Sequence, residues 1–114
     1  MMNVLEKRTR ESLRYDFGCW DLLVDGETIV GTPTMAASEP AGLTFGTPVV
    51  NTGPITYPSG FVAQPGQVVQ VQISGGVIAV GQVSQRYVVR CVFNTSISPN
   101  QAEATAYLLV KDQP

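Results

Sequence analysis

Four carboxylates fall within a dozen residues, Asp16, Asp21, Asp25 and Glu27, and any chemistry in this sequence would start there. Several oxygen ligands brought together could hold a calcium ion, and two facing carboxylates could cleave a glycosidic bond. Their spacing lacks the regular alternation of a calcium loop, and so small a domain rarely offers the deep cleft that paired acids need. They read instead as solvated turn residues. The chain has no histidine, which excludes Ser-His-Asp and Cys-His nucleophile activation and every His-ligated metal site. Its two cysteines, Cys19 and Cys91, are too few for a four-cysteine zinc site. No phosphate-cradling Gly-x-x-x-x-Gly-Lys-Ser/Thr loop occurs, and Gly75, Gly76 and Gly81 read as turn residues. The expectation is a non-enzymatic chain with no catalytic residue, no cofactor, no metal and no small-molecule ligand.

The elements that position these residues are strands. The chain has 114 residues, the size of one domain. Charged residues make up 14 %, against a usual ~25 %, and Val, Thr and Gly are frequent, which points to an all-β domain. Leu13, Tyr15 and Phe17 alternate with Arg14, Asp16 and Gly18, the period of a half-buried strand. Cys19 to Gly26 reads as a bend. Thr28 to Ala37 reads as a second strand, at an edge or bulged because Pro33 lacks a ladder donor. Glu39-Pro40-Ala41-Gly42 is a turn, and Leu43, Phe45, Thr47 and Val49 suggest a third strand. Three clearer runs follow: Val69, Val71 and Ile73; then Tyr87, Val89, Cys91 and Phe93; then Ala102, Ala104, Ala106, Leu108 and Val110, each set on one face. Ser96 to Asn100 connects the last two. Six or seven such strands predict a two-layer antiparallel sandwich. An oligonucleotide-binding barrel is the rival, but it usually sets basic and aromatic residues together on strand faces.

Two regions are candidates for contact with other molecules. Residues 1–12 are polar without strong periodicity and read as an N-terminal arm or short helix ahead of a domain over residues 13–114. Lys7, Arg8, Arg10 and Arg14 crowd there although the net charge is −2. The arm is either solvated or docks, through Arg8 and Arg10, on an acidic neighbour or on nucleic acid; the overall charge makes nucleic acid the weaker partner. Residues 51–66 hold three prolines and three glycines around Ile55, Tyr57, Phe61 and Val62. A connection of that length usually has a purpose. Tyr57 and Phe61 serve either an interface or local packing, and Trp20 is either a core or bend anchor or a binding hot spot. No apolar run suits a signal peptide or a membrane helix. Synthesis in a reducing cytosol, with free thiols, is expected; a Cys19–Cys91 disulfide stays open if the domain later works outside the cell. Cys91 is placed inward, as a small buried hydrophobe.

One ordered set of motifs is familiar. It runs Tyr15-Asp16-Phe17-x-x-Trp20-x-x-Leu23-x-x-Gly26-Glu27-Thr28-Ile29, then Gly42-Leu43-Thr44, then Val71-Gln72-Ile73-Ser74-Gly75-Gly76, then Arg86-Tyr87-Val88-Val89-Arg90-Cys91-Val92-Phe93-Asn94-Thr95. Over residues 13–111 the chain resembles a family of small phage virion proteins described as fiber–tail adaptors. The resemblance implies an immunoglobulin-like sandwich and a bacteriophage structural protein of the tail or the head–tail connector. It implies multiple copies around the tail, made in the host cytoplasm and carried in the virion, holding a tail fiber, portal, or tail adaptor or nozzle protein. Residues 51–66 are longer than that family's usual connection. The alternative is a capsid decoration or carbohydrate-binding module of the same fold. An antibody-type domain is a poorer match, since its core Trp lies between its cysteines whereas Trp20 directly follows Cys19.

Overall fold

Alternating apolar residues build the core where their spacing predicts it. The computed structural model describes residues 3–97 and 99–111. The strands are β1 (Asn3–Arg8), β2 (Leu13–Gly18), β3 (Ile29–Met35), β4 (Leu43–Phe45), β5 (Val49–Val50), β6 (Ile55–Thr56), β7 (Val62–Ala63), β8 (Val68–Gly75), β9 (Ser84–Thr95) and β10 (Gln101–Lys111). One sheet runs β1-β10-β9-β3 and the other β2-β8-β4, with β5 also on β8. Phe17, Val69, Val71 and Ile73 from the second sheet meet Tyr87, Val89, Cys91, Phe93, Ala106, Leu108 and Val110 from the first in one cluster. The fold is therefore the expected all-β, two-layer sandwich. Each large side chain buried there adds roughly 1.5–3 kcal/mol.

The edges follow local chemistry. β3 is the outer strand of its sheet, and its register on β9 shifts between Val30 and Thr34. That irregularity brackets Pro33, so the foreseen strand is both an edge and bulged. The third foreseen strand is two short ones, because Gly46-Thr47-Pro48 interrupts it and Pro48 offers no N–H to a ladder. Gly75 ends β8 with φ +79°, and a Cβ there would lie 2.9 Å from the Gly42 carbonyl oxygen, so the turn role expected of it holds.

The N-terminal reading needs correction. Residues 3–8 are not an arm: β1 pairs in parallel with β10, from Asn3 beside Ala106 to Arg8 beside Lys111. The sandwich thus begins before residue 13 and is not wholly antiparallel. The physical reason is Lys7. It occupies an inward position, 3 % exposed, and its ammonium donates to the carbonyls of Arg8 (2.6 Å) and Gly75 (2.5 Å). Desolvation holds its pKa below the usual lysine range, with Glu11 pulling the other way. Tyr15 donates its hydroxyl to the Glu6 carbonyl at 2.6 Å, and Glu6 pairs with Lys111 at 3.1 Å, so β1 is tied to both neighbours. Residues 1 and 2 of the foreseen arm lie outside the described residues.

Candidate functional site

The aromatic residues of the bend and of residues 51–66 come together at one end of the sandwich. β2 ends at Gly18, the Cys19 amide donates to the Gln67 carbonyl at 2.8 Å, and a 3-10 turn over Trp20–Leu22 follows. The turn folds the indole back over Gly18. A Cβ on Gly18 would lie 2.2 Å from the Trp20 ring, so only glycine seats it. From the other side, β6 and β7 form a small hairpin closed by Tyr57 and Phe61, whose backbones bond at 2.9 Å. Trp20 meets Phe61 at 4.6 Å and Tyr57 at 6.1 Å between ring centroids, and Tyr57 and Phe61 lie 6.5 Å apart. Such spacings suit attractive aromatic pairs.

Asn51 holds this hairpin in place. Its side-chain oxygen accepts from the amides of Gly66 (3.1 Å), Gln67 (3.1 Å) and Val68 (2.9 Å). Its amide nitrogen donates to the carbonyls of Gly53 (2.8 Å) and Gln64 (3.0 Å). One buried side chain therefore pins both stems of the loop. Tyr57 is anchored further by donating to Asp16 Oδ2 at 3.2 Å, while Gln70 donates to Asp16 Oδ1 at 3.2 Å. Burial, and then the Asp16 charge, push the Tyr57 phenol up to about 12.

Trp20, Tyr57 and Phe61 thus pack on each other and still face solvent: Trp20 and Tyr57 are half-buried, and Phe61 is 43 % exposed. Ile55 is half-buried in the hairpin stem opposite Ala63 and stands outside the ring cluster. Leu22 and Val24, which follow Trp20 along the bend, are exposed. Replacing Gly18 by Ala is expected to evict the indole at a cost of about 1 kcal/mol. Trp20 is the chain's one tryptophan, so a red shift of its fluorescence reads the eviction directly.

The carboxylates do not converge. Asp16 is spoken for by Tyr57 and Gln70, and Asp21 and Asp25 are exposed. Glu27 Oε2 accepts from the Thr95 hydroxyl at 2.5 Å and from Asn100 at 3.3 Å, and its Oε1 accepts from the Val24 amide at 3.0 Å. The Thr95 bond above all holds its pKa below the usual carboxylate range. Among the described residues, no three metal-binding side chains gather. Cys19 and Cys91 are free and fully buried, and burial pushes both thiols up to about 12.

Arg8 and Arg10 lie at the other end of the molecule. β2 and β8 run from the Gly18–Val68 pair beside the aromatic cluster to the Leu13–Ile73 pair beside the arginines. There Thr9 and residues 76–82 line a shallow groove. The connection between β8 and β9 exposes Val77 at 69 %, Val80 at 103 % and Val83 at 82 %. These valines escaped the sequence reading. The signal for them is an apolar run, Gly76-Val77-Ile78-Ala79-Val80-Gly81, without alternation and framed by glycines. Tyr87 holds the run: its hydroxyl accepts from the Val77 amide at 2.7 Å and donates to the Val77 carbonyl at 2.8 Å. Compared with family models, with curated proteins and with solved structures, the chain matches none.

Proposed function

We propose that this chain is a non-enzymatic virion structural protein, a multi-copy adaptor of a bacteriophage tail or portal–tail junction that holds a tail fiber or a neighbouring tail protein. The observation that carries the binding role is the convergence of Trp20, Tyr57 and Phe61 into one solvent-facing cluster. Aromatic anchors on a rigid scaffold are the usual hot spots of protein interfaces. The tail assignment rests on the ordered motifs that resemble fiber–tail adaptors. The strand order supports the immunoglobulin-like form of the reading: β2-β8-β4 facing β10-β9-β3 follows the B-E-D and G-F-C order of such domains. Tyr87, near the start of β9 and bonded to backbone upstream, resembles their tyrosine corner. A sugar platform would need coplanar rings, and Trp20 is tilted 52° from Tyr57 and 40° from Phe61.

Deleting residues 54–62 tests the role. The carbonyls of Gly53 and Gln64 both contact the Asn51 amide, so the stems of the shortened loop can join without spreading. The shortened chain is expected to fold as a monomer and to be missing from purified particles by mass spectrometry. Phe61→Ser, an exposed change, should reduce incorporation in the same direction. Unaltered incorporation of both variants, or absence of the wild-type chain from virions, would overturn the proposal.

A further inference from the structure

We infer that the aromatic end of one copy receives the valine-bearing end of a second copy, so that the chain associates head to tail. This rests on the reading of Trp20, Tyr57 and Phe61 as a protein interface and names its occupant. The small net charge of −2 conceals a strong separation along the strands. Among the described residues, Arg8, Arg10, Arg14, Arg86 and Lys111 gather where β1 and β10 end and β2 and β9 begin, with Glu6 and Glu11 against them. At the aromatic end the charged residues are Asp16, Asp21, Asp25 and Glu27, all acidic among the described residues. Arg90, Glu39 and Glu103 form ion pairs between the ends. The long axis measures 48 Å, so one end does not neutralise the other within the molecule.

Each end also carries an apolar surface that its charges frame. Val77, Val80 and Val83 are exposed on the connection that shares a groove with Thr9, the neighbour of Arg10 in sequence, and that leads into β9 and Arg86, whereas exposed Phe61 packs on Trp20, which Asp21, Leu22, Val24 and Asp25, all exposed, follow along the bend. Bringing like ends together would oppose like charges, and bringing unlike ends together satisfies both the apolar and the ionic surfaces. The contact is heterologous, so it propagates into a ring if the rotation closes and a filament if it does not. A repeated ring is the geometry a tail collar requires, and repetition lets each single contact stay weak.

Sedimentation velocity of the purified full chain tests this. The wild type is expected to show a weight-average sedimentation coefficient that rises with concentration and falls with added salt. Val80→Asp alters one end, and Asp21→Arg with Asp25→Arg alters the other; all three positions are exposed, so folding is spared. Each variant alone should associate at least tenfold more weakly, and a one-to-one mixture should regain association but stop at dimers. A wild type that stays monomeric into the millimolar range at low salt would overturn the inference, as would either variant associating like the wild type. Binding of monomeric wild type to anionic phosphatidylglycerol vesicles would likewise overturn it, assigning the valine end to lipid. If the chain is monomeric while Phe61→Ser still blocks entry into particles, the aromatic interface stands and its occupant is another protein. If entry is also unaffected, both fall.

Discussion

Asn51→Ala is expected to lower the stability of the domain by about 2–4 kcal/mol, the sum of several lost buried hydrogen bonds and of the partners they leave stranded. The side chain makes five hydrogen bonds from a site 8 % exposed. Of its partners, the Gly66 amide keeps the Asn51 carbonyl at 3.0 Å and the Gln67 amide the Gln64 carbonyl at 3.3 Å, whereas the Val68 amide, on a residue with no exposed surface, loses its side-chain acceptor. An unpaired buried donor costs more than the net worth of the bond it lost. In a chain this small that change moves the thermal midpoint down by roughly 10 °C or more. Asn51→Asp separates the two halves of the role. It keeps the acceptor for three amides but sets a second oxygen against the carbonyls of Gly53 and Gln64, so its stability should fall between wild type and Asn51→Ala. Chemical denaturation followed by circular dichroism measures all three. A loss in Asn51→Ala below about 1 kcal/mol, within the range of a single ordinary hydrogen bond, would mean that the loop stems hold without their pin.

That dependence explains what could and could not be read in the sequence. The core strands were legible because period-two alternation is a direct signature of a face: Val69-Val71-Ile73 and Tyr87-Val89-Cys91-Phe93 are buried as spaced. Pro33 was legible because a missing N–H has one structural meaning in a sheet. β1 was hidden because Lys7 takes an inward position, and a lysine reads as surface unless the carbonyls that receive its ammonium are known. Those acceptors include Gly75, 68 residues away. Asn51 was hidden for the same reason, since a polar residue beside Gly and Pro reads as a loop and its five partners are set by the fold. The site was half legible. Trp20, Tyr57 and Phe61 stood out singly by type and context, but their meeting depends on the 3-10 turn, on Gly18 and on Asn51 together. Arg8 and Arg10 stood out by charge, and the strand directions that carry them away from the aromatic residues follow only once β1 is known to pair with β10.

Tyr87→Phe is expected to cost about 2 kcal/mol, because it removes two hydrogen bonds and leaves the Val77 amide and carbonyl to compete for water at a crowded corner. The ring itself is 1 % exposed and stays in the core, so the sheet is unaltered and the damage is local. Both bonds, at 2.7 and 2.8 Å, end on the backbone of Val77, the first of the three exposed valines. Without them, the connection from Gly76 to Val83 is tethered by the half-buried Ile78 and by the Gly76 amide on the Gly42 carbonyl. Amide hydrogen exchange should therefore quicken over residues 77–82 well before it does in β9 or β10. The contrast with Val80→Asp is the informative part. That exposed substitution should weaken association of copies at unchanged stability, since Val80 touches solvent on every side. Tyr87→Phe keeps every valine but spends binding energy on ordering them, so association should weaken together with stability. If Tyr87→Phe instead left both exchange and stability as in wild type, the valine-bearing end would be held by the flanking strands alone, and its surface would be no more preorganised than any other loop of the sandwich.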